Sequence, residues 1–134
     1  RLAQKKDRFA LLSVGDVEVK EAFLPYVKEL VDLGYTFYAT KNSHEFYKKH
    51  GIESIFIHKM FEKKFPNLEE ILKQDMFDLI INTSYKKHSA QIGQDESVIK
   101  KWAVKNSVPI ISDEKVFEEL IKKLKKHIVI GKTK

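Results

Sequence analysis

Five short apolar runs, each followed by residues with helical spacing, constrain this chain more than any other feature. The runs cover residues 9–14, 35–39, 54–58, 77–82 and 108–111. They are rich in β-branched and aromatic side chains, which fit a pleated, half-buried surface. Between them, apolar residues recur every three or four positions: Val19, Phe23, Val27, Leu30 and Leu33, later Leu68, Ile71 and Leu72, then Val98, Ile99, Trp102 and Ala103. Val116, Phe117, Leu120, Ile121 and Leu124 repeat the pattern after the fifth run, and a shorter helical stretch occupies residues 45–50. Strict alternation of strand and helix predicts an α/β fold: a five-stranded parallel sheet with helices on both faces, Rossmann-like in its winding.

Local signals set the boundaries. Pro25 removes a donor and clashes one turn back, so it predicts a kinked helix or a late start. Gly34 closes that helix, because glycine takes the left-handed dihedrals of a C-terminal cap. Pro66-Asn67 opens the third helix, and Asp95-Glu96-Ser97 opens the fourth after a loop running through Gly93. Ser112-Asp113 caps the last. Residues 1–8 read as a polar linker remnant, 9–127 as one domain, and 128–134 as a tail whose Ile128-Val129-Ile130-Gly131 suits an edge strand.

Residues 34–44, Gly-Tyr-Thr-Phe-Tyr-Ala-Thr-Lys-Asn-Ser-His, hold a helix stop, a strand, a hydroxyl-rich loop and a helix start in succession. In open α/β sheets, ligands occupy the crevice past the carboxyl ends of the strands. A loop there that leads into a helix offers free backbone N–H groups and partial positive charge, which suit a phosphate. Ser43 or Asn42 serves equally well as a plain helix cap. Parallel strands bring their exits to one rim, here Ser13, then Thr40 to Ser43, Lys59, the trio Asn82, Thr83 and Ser84, and Ser112. Hydroxyls, an amide and a lysine suit a phosphate or phosphosugar.

The formal net charge is +6, from 25 Lys+Arg against 19 Asp+Glu, and it favours an anionic partner. Much of the excess sits in lysine pairs of the kind that form a solvated helix face. No basic, aromatic groove stands out, so nucleic acid is not expected as a partner. No apolar run approaches the length of a membrane span and no leader pattern opens the chain, which predicts a cytoplasmic protein with no membrane partner. Cysteine is absent, which excludes disulfides, thiolate metal sites and thiol nucleophiles. His44, His50, His58, His88 and His127 lack metal-ligand spacing. For acid–base work the exit loops offer only Glu62 and His88, without a partner group near in sequence. Phosphate-binding, dinucleotide and nucleophile-elbow motifs are all missing. Neither a catalytic residue nor a metal is expected.

The order of these exits resembles the methylglyoxal-synthase-like family, most closely the C-terminal regulatory domain of carbamoyl-phosphate synthetase large subunits. The resemblance runs from Phe9 to about Leu124. It rests on Leu11-Leu12-Ser13-Val14, Leu33-Gly34-Tyr35 leading to Ala39-Thr40, His50-Gly51-Ile52, Asp78-Leu79-Ile80-Ile81-Asn82-Thr83, and Val98-Ile99-Lys100-Lys101-Trp102-Ala103 leading to Val108-Pro109. It implies a non-catalytic domain that binds a nucleotide effector, UMP or IMP, within a ligase of pyrimidine and arginine biosynthesis. By position it implies Ser13 near the ligand, Lys20 on the phosphate, Thr40 and Ser43 as the hydroxyls of a phosphate loop, Lys59 as a second ligand lysine, and Asn82, Thr83 and Ser84 beside base and ribose. Implied partners are the synthetase domains of the same large subunit and the glutaminase small subunit. No cofactor is implied in this domain; ATP, magnesium and potassium belong to the parent synthetase.

Two positions depart from the family pattern. Asn42 stands where glycine is usual, and Ser43 replaces threonine. Asparagine accepts positive φ better than most residues, so the loop is expected to survive. Methylglyoxal synthase itself carries a catalytic aspartate in a Gly-Gly-Asp loop and a His-Asp pair; this chain has Lys63-Lys64-Phe65 and Gly93-Gln94-Asp95 in their places. A phosphate lyase of that type is the alternative activity, and a docking domain that binds nothing is the third.

Overall fold

Strands buried on both sides lose the polar alternation of a half-exposed sheet. The opening run shows this: Ala10, Leu11 and Leu12 are each fully buried. The computed structural model describes residues 7–59, 62–84 and 90–132, with backbone alone at 90–94 and 128–132. In chain order it contains β1 (Arg8–Ser13), α1 (Val17–Asp32), β2 (Tyr35–Ala39), α2 (Lys41–Lys49) and β3 (Ile55–Phe56). There follow α3 (Leu68–Lys73), β4 (Leu79–Asn82), α4 (Ala90–Asn106), β5 (Ile110–Ile111) and α5 (Glu114–Lys132). The sheet order is β3-β2-β1-β4-β5 and every pairing is parallel, the expected α/β architecture.

Two separate cores cover the two faces. On one side Ala10, Leu12, Phe37 and Ile81 pack under Phe23 and Val27 of α1, Tyr47 of α2 and Phe117 of α5. On the other, Leu11 and Ile80 pack under Leu68 and Ile71 of α3 and Ile99 and Ala103 of α4. Adjacent strand residues therefore belong to different cores, as the two-residue period requires. Phe117 anchors α5 on α1, edge to face with Phe23 at a centroid distance of 5.2 Å.

Most punctuation acts as the sequence implies. Gly34 has φ +93° and Gly51 φ +80°, each just past a helix end. Asn67 caps α3 by accepting from Glu69 N–H at 2.9 Å, and Asp113 accepts from Val116 N–H at 3.2 Å. Pro25, however, does not delay α1, which starts at Val17. It lies on the exposed side, where water reaches the carbonyl left without a donor.

Three expectations need correction. The fourth helix starts at Ala90, not near Asp95, and passes through Gly93. An isolated glycine costs a helix only about 1 kcal/mol, and the alanine and glutamines around it favour helix. The Ile128-Val129-Ile130-Gly131 segment forms no edge strand, because α5 continues to Lys132. Its apolar residues extend the helical spacing begun at Val116 rather than starting a period of two. Arg8, assigned to the linker remnant, is the first residue of β1 and pairs with Tyr35.

Phe117→Ala should lower stability by about 3–5 kcal/mol, as loss of a fully buried aromatic ring does. Val104→Ala, at a position 81% exposed, should stay within about 0.5 kcal/mol of wild type. Urea unfolding of both, with unchanged slope, checks the pair.

Candidate functional site

The sheet winds outward from β1 through β2 to β3, then returns to β4 on β1's other side. That reversal makes the carboxyl ends of β1 and β4 the topological switch point, where open α/β sheets place their ligands. Ser13 and Asn82 stand level there in the β1–β4 register. Directly beyond them lies a cleft lined by Ser13, Thr40, Asn42, Lys59 and Thr83. Asp95 and Glu96 of α4, with Leu68 and Ile99, line it as well. The enclosed cavity is about 20 Å³, roughly the room needed by one water molecule. A larger ligand must rest in the outer mouth or displace side chains.

Of the eight residues implied by sequence, four line this cleft: Ser13, Thr40, Lys59 and Thr83. Thr40 is the residue before α2, and its Oγ1 donates to Ser13 Oγ at 3.4 Å instead of capping the helix. Thr40 makes no side-chain cap at the amino end of α2, whose first turn reaches the cleft at Asn42 with partial positive charge. Lys59 is fixed through its main chain, its N–H donating to Glu62 Oε1 at 2.9 Å and its carbonyl accepting from Asn67 Nδ2 at 3.0 Å. Desolvation raises the Glu62 pKa, but the Lys59 N–H bond and the His58 contact outweigh it and hold the group below its ordinary value.

The other four do not line the cleft. Ser43 is fully buried, and its Oγ accepts from Val14 N–H at 2.9 Å and donates to Val14 C=O at 3.3 Å. It neither caps α2 nor faces the mouth, since it sits inside the first turn of a helix that begins at Lys41. Asn42 occupies the same turn and is absent from the positive-φ positions, so the glycine replacement strains nothing. Lys20 is buried and its ammonium donates to Gly15 C=O. Burial lowers its pKa, and Asp16 partly offsets that. Gly15 N–H in turn donates to Thr83 Oγ1 at 2.8 Å, so both main-chain polar groups of Gly15 are held, by Lys20 and Thr83. Asn82 is buried, and its Oδ1 has no hydrogen-bond partner among the described residues. Ser84 is exposed and donates to Glu96 Oε1 at 2.9 Å. Ser112 does not line the cleft, and His88 lies outside the described residues.

Asp95 and Glu96 were not among the residues singled out by sequence, because both were read as the opening of a helix. With α4 beginning a turn and a half earlier, they fall on its inward side. The signal available was the run Asp95, Glu96, Ile99 and Ala103, which puts acidic residues one turn before apolar core positions. Among the described residues no cluster of three or more metal-ligating side chains forms, and no helix is long and apolar enough to cross a membrane.

The family model described as the MGS-like domain matches residues 22–112, more than half of the chain, and the chain belongs to that family. The carbamoyl phosphate synthase large chain of Clostridium botulinum (strain Langeland) is 33% identical over 108 residues, covering 81% of this chain and 10% of that protein. The large chain of Clostridium beijerinckii is 32% identical over 107 residues, 80% of this chain and 10% of that protein. A Methanopyrus kandleri protein named as the C-terminal section of the large chain is 33% identical over 103 residues, 77% of this chain and 18% of that protein. The chain therefore spans about a tenth to a fifth of the length of these relatives.

Ser43→Ala leaves Val14 N–H buried without its acceptor, a loss worth about 1–3 kcal/mol. Chemical denaturation should show that drop, and the amide of Val14 should exchange hydrogen faster.

Proposed function

We propose that this MGS-like domain is a regulatory, effector-binding part of a carbamoyl-phosphate synthetase large chain, and that its ligand is a nucleoside monophosphate, UMP or IMP. The observation that carries the proposal is the convergence of Ser13, Thr40, Thr83 and Lys59 with the amino end of α2 at the sheet's switch point. Hydroxyl donors, an ammonium and helix N–H groups are the components of a phosphate site. The printed names of the relatives, one of them a C-terminal section, support the parent enzyme. Within that enzyme the domain would pack against the synthetase domains of the same chain and act, through them, on an assembly that includes the glutaminase small subunit. Regulation of this kind needs a differential binding energy of only about 1–3 kcal/mol.

Lys59 is the primary phosphate cation in this reading. Lys20 joins it by exchanging Gly15 C=O for a phosphate oxygen, while Asn82 and Ser84 lie toward the sugar and base. Ser43 supports the loop from below.

A second reading, a phosphate-ester lyase, draws on the two carboxylates of the cleft, since Asp95 and Glu96 supply the base type that such chemistry needs. Incubation with dihydroxyacetone phosphate separates the two; methylglyoxal above background would replace the regulatory reading.

Calorimetric titration should give saturable heat with UMP or IMP. Lys59→Ala should weaken that binding about tenfold or more, as expected for a hydrogen bond to a charged group. Absence of heat with both nucleotides at millimolar concentration would refute the effector reading.

A further inference from the structure

Several exposed lysines on the helices meet an acid. Lys73 lies 3.7 Å from Glu70, Lys122 lies 3.9 Å from Glu118, and Lys125 lies 3.0 Å from Glu29. The second half of α4 breaks that pattern. Lys100, Lys101 and Lys105 are exposed and form no ion pair among the described residues. No acidic residue occurs from Ser97 to Ser112. Lys101 and Lys105 are four apart, a like-charge spacing that weakens a helix. Lys105 stands in the last turn, where the helix end favours a cation, but Lys100 and Lys101 do not. Among them is Val104, at 81% the most exposed large hydrophobic residue described. These four residues share one face of α4 and alone line a shallow depression of about 360 Å³. The core-facing side of the helix is supplied by Ile99 and Ala103 instead. Packing within the domain therefore makes no use of three lysines around a valine.

We propose that this face of α4 is a docking surface, and that its occupant is an acidic patch with an apolar centre on the synthetase domains of the parent large chain. This rests on the reading of the chain as part of such a large chain, of which it spans 10% in one relative and 18% in another. Charge complementarity selects the occupant. Carboxylates would pair with the three ammonium groups, and an apolar side chain set on Val104 would keep water from those pairs, which strengthens them. Nucleic acid would match the charge but leave the valine unused, since no aromatic residue lines the face for stacking. A membrane surface calls for a broad apolar stripe, and this face offers one valine. Asp95, Glu96 and Ile99 of the same helix line the cleft. A neighbour docked here accordingly holds a helix that forms part of the effector site.

The test is zero-length carbodiimide cross-linking of the intact large chain, which joins amines only to carboxylates in direct contact. Lys100, Lys101 or Lys105 should be joined to aspartate or glutamate residues of the synthetase domains. Val104→Asp keeps every amine and should reduce those cross-links about tenfold, as a like charge placed in an interface does. Val104→Ser, a milder change, should reduce them in the same direction. Cross-links confined to carboxylates of this domain, or undiminished in Val104→Asp, overturn the docking face. So does binding of the wild-type chain to RNA or to phosphatidylserine vesicles that Lys100→Glu abolishes. Titration with UMP and IMP keeps the two readings apart. Nucleotide binding without these cross-links refutes the docking face alone, and cross-links without nucleotide binding refute the effector reading alone. A native polypeptide that lacks synthetase domains refutes the parent-enzyme reading and this face with it.

Discussion

Beyond Ser13 the chain leaves the sheet while still enclosed, and its main-chain groups need partners that no strand supplies. Three different elements provide them. Ser43 of α2 takes both polar groups of Val14, Thr83 at the exit of β4 accepts from Gly15 N–H, and Lys20 of α1 donates to Gly15 C=O. Tyr47 adds a fourth tie, its buried hydroxyl donating to Lys20 C=O at 3.0 Å. Two consecutive residues at the end of the central strand therefore fix how α1, α2 and β4 meet. The cleft is the space left outside that junction, and its shape follows from it.

The fold was legible because its evidence is periodic. Strand-like runs, helical spacing, Gly34, Gly51 and Asn67 all act locally, and local signals survive into the structure. What failed was reading each signal as independent. Gly93 looked like a break, but the helix on both sides of it outweighs one glycine. Ile128 to Gly131 looked like a strand only when detached from the helix that reaches it. The site was half legible for a related reason. Sequence places a residue on the rim, but burial decides whether its polar atoms face the ligand or the backbone. Ser43 and Thr40 are three residues apart and both carry hydroxyls, yet one is consumed by Val14 and the other lines the mouth.

The cleft's lining carries both signs, Lys59, the hydroxyls and the start of α2 together with Asp95 and Glu96. A small symmetric anion there would meet attraction from the first set and repulsion from the second. A longer molecule, acidic at one end and rich in hydrogen-bond donors at the other, matches both.

The cleft's lining also draws on both cores. Val14 belongs to the layer containing Tyr47 and Phe23, whereas Leu68 and Ile99 belong to the layer on the other face. A molecule lodged there would act as a clasp across the sheet's seam, stiffening the two slabs that flank the strands. Occupancy would then be felt on both flat sides of the domain at once, so a neighbour packed against either side could sense it.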